Sequence, residues 1–169
     1  MTQELFYVIF NISVGWVGML SSRAGLLRVT LPQRSPEGIF QQLGISPNQG
    51  ASSPQRFQNL MERFRAYFAG HKVDFPDCLD LSTATAFQRE VWETTRLIPY
   101  GETRSYTWVA EQIRKQRAVR AVGQALGKNP LPVIIPCHRV LASNGGLGGF
   151  SGGLEMKRFL LHLEVVARI

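Results

Sequence analysis

The stretch NPLPVIIPCHRVLASNGGLGGFSGGLEMKRFLLHLE (Asn129–Glu164) holds the features that decide the second half of the fold. Its apolar run Leu131–Ile135 predicts a short strand, which leads straight into Pro-Cys-His-Arg-Val. Six glycines between Gly145 and Gly153 match no phosphate-binding spacing, and they predict a mobile wall over a pocket instead. The last helix is expected over Leu154–Val166. This stretch therefore predicts a cysteine beside a loop-covered pocket.

Helices are predicted upstream of this stretch. The first begins at the capping-box pattern Thr85-x-x-Gln88. Two short helices follow at residues 105–113 (SYTWVAEQI) and 118–127 (AVRAVGQALG), and the basic turn Arg114–Arg117 joins them. Two short helices joined by a tight turn are typical of a helix-turn-helix.

Three β-rich runs at residues 5–12, 16–21 and 26–31 predict an antiparallel meander in the first half. The segment Leu5–Ser22 contains no charged residue, which raises the alternative of a membrane span or a signal peptide. Glu4 precedes it where a signal peptide is basic, and polar residues and glycines interrupt it. We therefore interpret it as strand–turn–strand.

Two helices are predicted after the meander. The first opens at Ser35-Pro36 and stops at Gly44, and residues 45–52 form a polar loop. The second opens at Ser53-Pro54 and is amphipathic. Its apolar stripe consists of Phe57, Leu60, Met61, Phe64, Tyr67 and Phe68.

The expected fold class is α+β, with two domains. Residues 1–75 form a small N-terminal α/β domain, residues 76–84 a connector, and residues 85–169 a mostly helical C-terminal domain that carries the cysteine.

Positive charge is concentrated in the second half. Residues 86–169 contain twelve Lys/Arg and six Asp/Glu, whereas residues 1–85 contain seven and six. Such a half indicates a polyanionic partner, most simply nucleic acid, or else a solvated basic face. The two cysteines, Cys78 and Cys137, have neither a disulfide framework nor a metal-binding spacing, which fits a reducing cytoplasm.

Cys137 and His138 are candidates for nucleophilic chemistry. A thiolate needs a neighbouring base or positive charge, and the base needs an orienting carboxylate, for which the last helix offers Glu164. Adjacent side chains of a strand point to opposite faces, so contact between the pair needs a turn or a bridging water. The alternative is a buried structural cysteine beside a surface histidine.

Arg120 lies among small residues of the second short helix, including Ala121 and Gly123. Small residues let a helix backbone approach another surface closely, and glycine inside a helix costs about 1 kcal/mol. That surface is a partner or, alternatively, the rest of the same domain. Tyr106 is either functional or an ordinary core aromatic.

The chain strongly resembles the O6-alkylguanine-DNA alkyltransferases along Asn129–Glu164. The resemblance extends to GETRSY (Gly101–Tyr106), RAVGQAL (Arg120–Leu126) and FQREVW (Phe87–Trp92), and is fainter in the first half. It implies a ribonuclease-H-like N-terminal domain and a winged-helix C-terminal domain. It also implies direct repair of double-stranded DNA without a cofactor or metal, by a cytoplasmic protein for which nothing demands more than a monomer.

The resemblance implies a catalytic role for five residues. Cys137 accepts the alkyl group, His138 takes the thiol proton through a water, and Glu164 orients His138. Asn129 is hydrogen-bonded into this network and shapes the cysteine turn. Tyr106 assists rotation of the nucleotide and protonates the departing guanine.

The resemblance also implies contacts with DNA and with the flipped base. Arg120 enters the base stack, and Ala121 and Gly123 allow the helix to approach the minor groove. The substrate pocket is formed by Val140, Phe150, Ser151 and Lys157.

Two of the chain's departures from the family pattern concern the helix-turn-helix and the pocket. Arg114-Lys115-Gln116 replaces a common Gly-x-Pro turn, and Phe150 replaces a common tyrosine. Three other functions remain open on the residues alone. They are a non-catalytic protein that binds alkylated lesions, a Cys-His-Glu hydrolase and a helix-turn-helix regulator.

Overall fold

The computed structural model describes residues 2–167, and the chain divides into two compact units, Met1–Leu81 and Ser82–Ile169. The fold is mixed α/β, as the sequence predicts: a small sheet with helices in the first unit, and mainly helices in the second. Within residues 2–167, none of the helices has both the length and the apolar character that crossing a membrane requires.

The predicted meander is confirmed. Strands β1 (Phe6–Ile12), β2 (Gly15–Ser21) and β3 (Leu26–Val29) pair antiparallel in sequence order. Burial alternates along β1, where Val8, Phe10 and Ile12 point into the core. The uncharged segment is therefore a hairpin.

A fourth strand lies inside the predicted polar loop 45–52. Strand β4 (Ala51–Ser52) pairs parallel with β1 and completes the order β3-β2-β1-β4. Both of its residues are exposed, and backbone hydrogen bonds hold it, among them Ala51 N–H to the Leu5 carbonyl at 2.9 Å. The loop prediction is wrong here because two exposed residues carry no hydrophobic pattern.

Both helices of the first unit begin later than the sequence predicts. Helix α1 (Ile39–Leu43) starts after Gly38, which has φ 84°, because the residues from Pro36 onward form a turn first. It ends at Gly44, as predicted. Helix α2 (Gln58–Phe68) follows a 3₁₀ turn at Pro54–Phe57, and its predicted apolar stripe is buried throughout.

Residues of the predicted connector pair with the first unit. Leu26 donates its backbone N–H to the Cys78 carbonyl at 2.9 Å, and Asp80 donates its own to the Leu26 carbonyl at 2.7 Å. The buried Asp80 carboxylate also accepts a hydrogen bond from the Ser22 hydroxyl.

The second unit contains the predicted helix-turn-helix pair. Helix α3 (Ala86–Thr95) begins at the capping box of Thr85. Helix α4 (Tyr106–Gln112) and helix α5 (Val119–Gly127) follow, and the hydroxyl of Ser105 caps α4 by accepting from Trp108 N–H at 2.9 Å.

A two-stranded parallel sheet and a long helix complete the second unit. Strand β5 (Arg104–Ser105) pairs with β6 (Val140–Leu141), so the residue before α4 lies beside the end of the cysteine segment. Helix α6 (Leu154–Ala167) covers the last predicted helix.

The strand predicted over Leu131–Ile135 is wrong. The segment is a turn in which Val133 has φ 74°, and the N–H of Ile135 donates to the Leu131 carbonyl at 2.8 Å. A second, 3₁₀ turn at Cys137–Arg139 follows. An apolar run indicates that a segment is buried. It does not distinguish a buried turn from a buried strand, because the two have the same composition.

Gly18 of β2 is the position at which α1 packs on the sheet. A Cβ there lies 2.3 Å from Ile39 Cγ2 and 3.2 Å from Leu43 Cδ1. Gly18→Ala is therefore expected to lower the free energy of unfolding by about 1–3 kcal/mol, because the branched Ile39 side chain cannot move aside cheaply. Urea titration measures the change. Gly127→Ala is the control, since nothing lies within 4 Å of its added Cβ; equal stability losses in both variants contradict the packing argument.

Candidate active site

Asn129 fixes the turn that carries Cys137. Its Nδ2 donates to the Ile135 carbonyl at 2.8 Å and to Cys137 Sγ at 3.1 Å, while its Oδ1 accepts from Leu131 N–H at 2.9 Å. One amide thus supplies the hydrogen bonds that this irregular backbone needs. Cys137 is 5% exposed.

A buried ionic cluster lies next to Cys137 in the same turn. His138 Nε2 is 2.7 Å from Glu164 Oε1, and Arg139 contacts both oxygens of the same carboxylate at 2.8–3.2 Å. The other end of the guanidinium donates to the Ile98 carbonyl at 2.8 Å, and Gly101 N–H donates to Glu164 Oε2 at 3.1 Å. All three side chains of the cluster are buried.

Electrostatics fix the charge of each group in this cluster. Burial alone raises the pKa of Glu164, but hydrogen bonds from His138 and Arg139 outweigh it and lower the pKa to about 2. Burial lowers the pKa of His138, against the opposing effect of the Glu164 carboxylate. At neutral pH, Glu164 is therefore ionised and His138 is neutral. The tautomer that donates Nε2–H to Glu164 keeps a basic lone pair on Nδ1.

Cys137 is a thiol at rest. Burial raises the pKa of Cys137, and the hydrogen bond from Asn129 and the positive charge of Lys157 only partly oppose it. The sulfur therefore needs a base to become nucleophilic.

Lys157 binds the glycine-rich loop. It is fully buried, and its ammonium donates to the carbonyls of Val140 at 2.7 Å, Leu147 and Gly149 at 3.0 Å. Burial lowers the pKa of Lys157 to about 8. Three carbonyls match the three donors of an ammonium, so this one side chain holds a loop that has no regular structure of its own.

A cavity of about 500 Å³ opens in front of Cys137. Tyr106 forms part of its wall, and its hydroxyl donates to the Gly149 carbonyl at 3.3 Å. The loop approaches Tyr106 so closely that a Cβ at Gly148 lies 2.6 Å from the hydroxyl oxygen. The described lining residues are Tyr106, Val119, Arg120, Gly123, Gln124, Leu126, Gly127, Cys137, Gly149, Phe150 and Ser151.

Helix α5 presents an open surface beside the cavity. Arg120 is exposed, and a Cβ at Gly123 meets only the Tyr106 ring, at an ordinary 3.9 Å. A Cβ at Gly127 meets nothing within 4 Å. Packing inside the unit therefore does not require Gly123 or Gly127, although another face of α5 buries Val122, Ala125 and Leu126.

The structure brings six of the predicted site residues to the cavity wall: Tyr106, Arg120, Gly123, Cys137, Phe150 and Ser151. Asn129, His138, Glu164 and Lys157 lie behind Cys137 or the loop rather than among the described lining residues. Val140 is buried and Ala121 half-buried, also outside that lining.

The sequence analysis missed Arg139. It is part of the Pro-Cys-His-Arg-Val sequence, yet the sequence predicts for it only a contribution to the positive charge of the second half. One sequence signal could have identified it: an arginine directly follows the candidate base His138 and can pair with the carboxylate that orients that base. In the structure it is 7% exposed and bound to that carboxylate.

Comparison with known proteins identifies relatives of this chain. The family model described as 6-O-methylguanine DNA methyltransferase, DNA binding domain, matches residues 86–166. The chain is 36% identical over 160 residues to the methylated-DNA–protein-cysteine methyltransferase of Methanosarcina acetivorans, covering 95% of this chain and 98% of that protein. It is 49% identical over 112 residues to that of Mycolicibacterium paratuberculosis, covering 66% of this chain and 67% of that protein.

The crystal structure of Mycobacterium tuberculosis OGT in complex with DNA has the same fold. Its TM-score is 0.80 at 36% sequence identity, over 96% of this chain and 94% of that chain. The similarity to these relatives extends along nearly the whole chain, both in sequence and in structure. The chain therefore belongs to the methylated-DNA–protein-cysteine methyltransferase family.

Proposed function

We propose that the chain repairs DNA by moving an alkyl group from O6 of a guanine in duplex DNA to Sγ of Cys137. One observation carries this assignment: the cysteine forms the wall of a 500 Å³ cavity, with the buried His138–Glu164–Arg139 cluster next to it. A cavity of this volume is of the size that binds small ligands, and an alkylated base is one.

The cluster activates the thiol in two steps. Nδ1 of His138 accepts the Cys137 proton through a bridging water, because Nε2–H is held by Glu164. The imidazolium that forms is stabilised by the Glu164 carboxylate, and Arg139 keeps that carboxylate ionised and in position.

Transfer is a displacement at carbon. The thiolate attacks the alkyl carbon, a C–S bond forms, and the electron pair of the broken C–O bond stays on the guanine. Burial raises the pKa of Tyr106, so its hydroxyl is protonated and serves as the proton donor to the departing base. The product is a thioether that no residue here reverses, so each molecule acts once, without a cofactor.

The helix-turn-helix pair serves to extrude the damaged nucleotide. Arg120 on α5 fills the space left in the base stack, while Ala121 and Gly123 let the helix approach the minor groove closely. The open surface over Gly123 supports this role. Phe150 and Ser151 contact the extruded base, and Val140 and Lys157 support the loop that encloses it.

The finer fold assignments belong to the same proposal. The order β3-β2-β1-β4, with β4 parallel to β1, supports a ribonuclease-H-like first domain over residues 1–75. Strands β5 and β6 beside α4 and α5 support a winged-helix second domain over residues 85–169, after a connector at residues 76–84. We further propose that the protein acts as a monomer in the cytoplasm, on the DNA of the nucleoid.

The mass of the intact protein tests the central claim. After mixing with duplex containing O6-methylguanine, the chain is expected to gain one methyl group, once only, on the peptide that contains Cys137. Cys137→Ser abolishes this gain and retains most DNA binding, because the nucleophile and the binding surface are different groups. Cys78→Ser is the matched control and reacts normally. A methyl group on Cys78 alone, repeated turnover, or no gain at all contradicts the assignment and favours a hydrolase or a lesion-binding protein.

Arg120→Ala separates base flipping from chemistry. Arg120 is expected to stabilise the state with the nucleotide extruded by a few kcal/mol. Its removal is therefore expected to slow repair of duplex by roughly tenfold to a hundredfold. Reaction with free O6-benzylguanine, which needs no flipping, stays within about twofold. The matched control is Arg117→Ala, an exposed arginine outside the described cavity lining. Equal slowing on duplex and free base contradicts the flipping role.

The Glu164 carboxylate is expected to give the fold a defined pH dependence. Because its pKa is lowered from 4.5 to about 2, the ionised group stabilises the folded state above pH 4.5, and this contribution is lost as the pH falls toward 2. The shift corresponds to about 3 kcal/mol. The difference in free energy of unfolding between the wild type and Glu164→Gln should therefore decrease as the pH falls from 4.5 to 2. Glu155→Gln, an exposed change on the same helix, is the control. A gap for Glu164→Gln that does not change with pH, in denaturant titrations, contradicts the ionised cluster.

A further inference from the structure

A second cavity lies within the first unit, outside the site described above. Its volume is about 400 Å³, and it is enclosed by the β2–β3 turn, the start of α2 and the segment around Asp77. Three arginines line it: Arg23, Arg56 and Arg63.

The charge of this lining contrasts with the unit that contains it. Residues 1–81 carry seven Lys/Arg and six Asp/Glu, which is close to neutral. Three of the seven basic residues line the cavity, whereas Asp77 is the acidic residue among its described lining. Three guanidiniums around one cavity repel one another unless an anion lies between them.

Two of the arginines pair with acidic neighbours and still have unused donors. Arg63 binds both oxygens of Asp77 through Nη1 and Nη2, at 2.6 and 2.7 Å, and its Nε–H donor is not used in this pair. Arg23 binds Glu4 through Nε alone, which leaves both of its terminal nitrogens. A guanidinium has five N–H donors, so neither pair exhausts its arginine.

Arg56 is the third cation, and it has no acidic partner. Within residues 2–167 it forms no ion pair; its guanidinium lies 3.8 Å above the ring of Phe6. A guanidinium over an aromatic face keeps N–H donors at its edge, where they can bind an oxyanion in a bidentate manner.

A buried hydroxyl in the same wall adds an independent observation. Ser21 lines the cavity and is 4% exposed, and its Oγ has no hydrogen-bond partner in the described part of the chain. A buried hydroxyl without a partner is unfavourable, and a ligand oxygen that reached it would remove this cost.

We propose that this cavity binds a phosphate group, with Arg56 as the principal ligand and Arg23 and Arg63 as flanking donors. The tetrahedral oxyanion accepts from several guanidinium donors at once, and Arg56 supplies a positive charge that no described carboxylate balances. A backbone phosphate of DNA and free inorganic phosphate share this chemistry. The site lies outside the alkyl-transfer cavity, so it holds independently of the function proposed above.

The first experiment uses inorganic phosphate as the probe on the full-length protein. Titration by calorimetry and by amide NMR at constant ionic strength is expected to show saturable binding, with shifts in residues 21–26 and 56–63. Arg56→Gln should weaken binding at least about tenfold. Arg65→Gln is the matched control, because this exposed arginine also stacks on a phenylalanine of β1, Phe10 at 5.3 Å, but lies outside the described cavity lining.

A second experiment identifies the source of the phosphate. If DNA supplies it, Arg56→Gln lowers the affinity for undamaged duplex and reduces the slope of log K against log salt by about one, and duplex displaces inorganic phosphate. If free phosphate is the ligand, only the phosphate titration changes. The proposal is overturned when Arg56→Gln behaves like Arg65→Gln in both experiments. Reaction of Arg56→Gln with free O6-benzylguanine is expected to equal that of wild type, which keeps this test distinct from that of Cys137.

Discussion

The buried carboxylate of Glu164 is the interaction on which the rest of the alkyl-transfer site depends. It accepts from His138, Arg139 and the backbone of Gly101, so one charge connects α6, the cysteine turn and the segment before α4. An ionised carboxylate without partners in a protein interior costs several kcal/mol, so these partners are a condition for burying it. The constraint also explains the chemistry, because the carboxylate held by Arg139 orients His138, while burial lowers the pKa of His138 and leaves it uncharged at neutral pH.

Side chains replace regular secondary structure around Cys137. Asn129 closes the turn before the cysteine, and Lys157 holds the loop in front of it through three carbonyls. Turns and loops fixed in this way place Cys137 in the cavity wall. The cost falls on Lys157, whose burial lowers its pKa to about 8.

The two units solve different physical problems. The first packs the apolar residues of a four-stranded sheet against two helices, and three of its seven Lys/Arg line one cavity. The second leaves a helix surface open at Gly123 and Gly127, where neither glycine is required by packing. Glycine inside a helix is unfavourable, which supports the proposed close approach of DNA to this helix.

The sequence by itself determined the meander, the capping box of α3 and the helix pair, because alternation and caps are local signals. The resemblance of the sequence to a known family singled out Cys137, His138 and Glu164. Only the tertiary structure decided four other features. They are the turn at Leu131–Ile135, the strand at Ala51–Ser52, the role of Arg139 and the cavity around Arg56. Each of these depends on a partner more than 20 residues away or on backbone hydrogen bonds that side-chain composition does not encode. The sequence does not distinguish a buried arginine from an exposed one, because burial depends on the residues that the folded chain packs around the side chain.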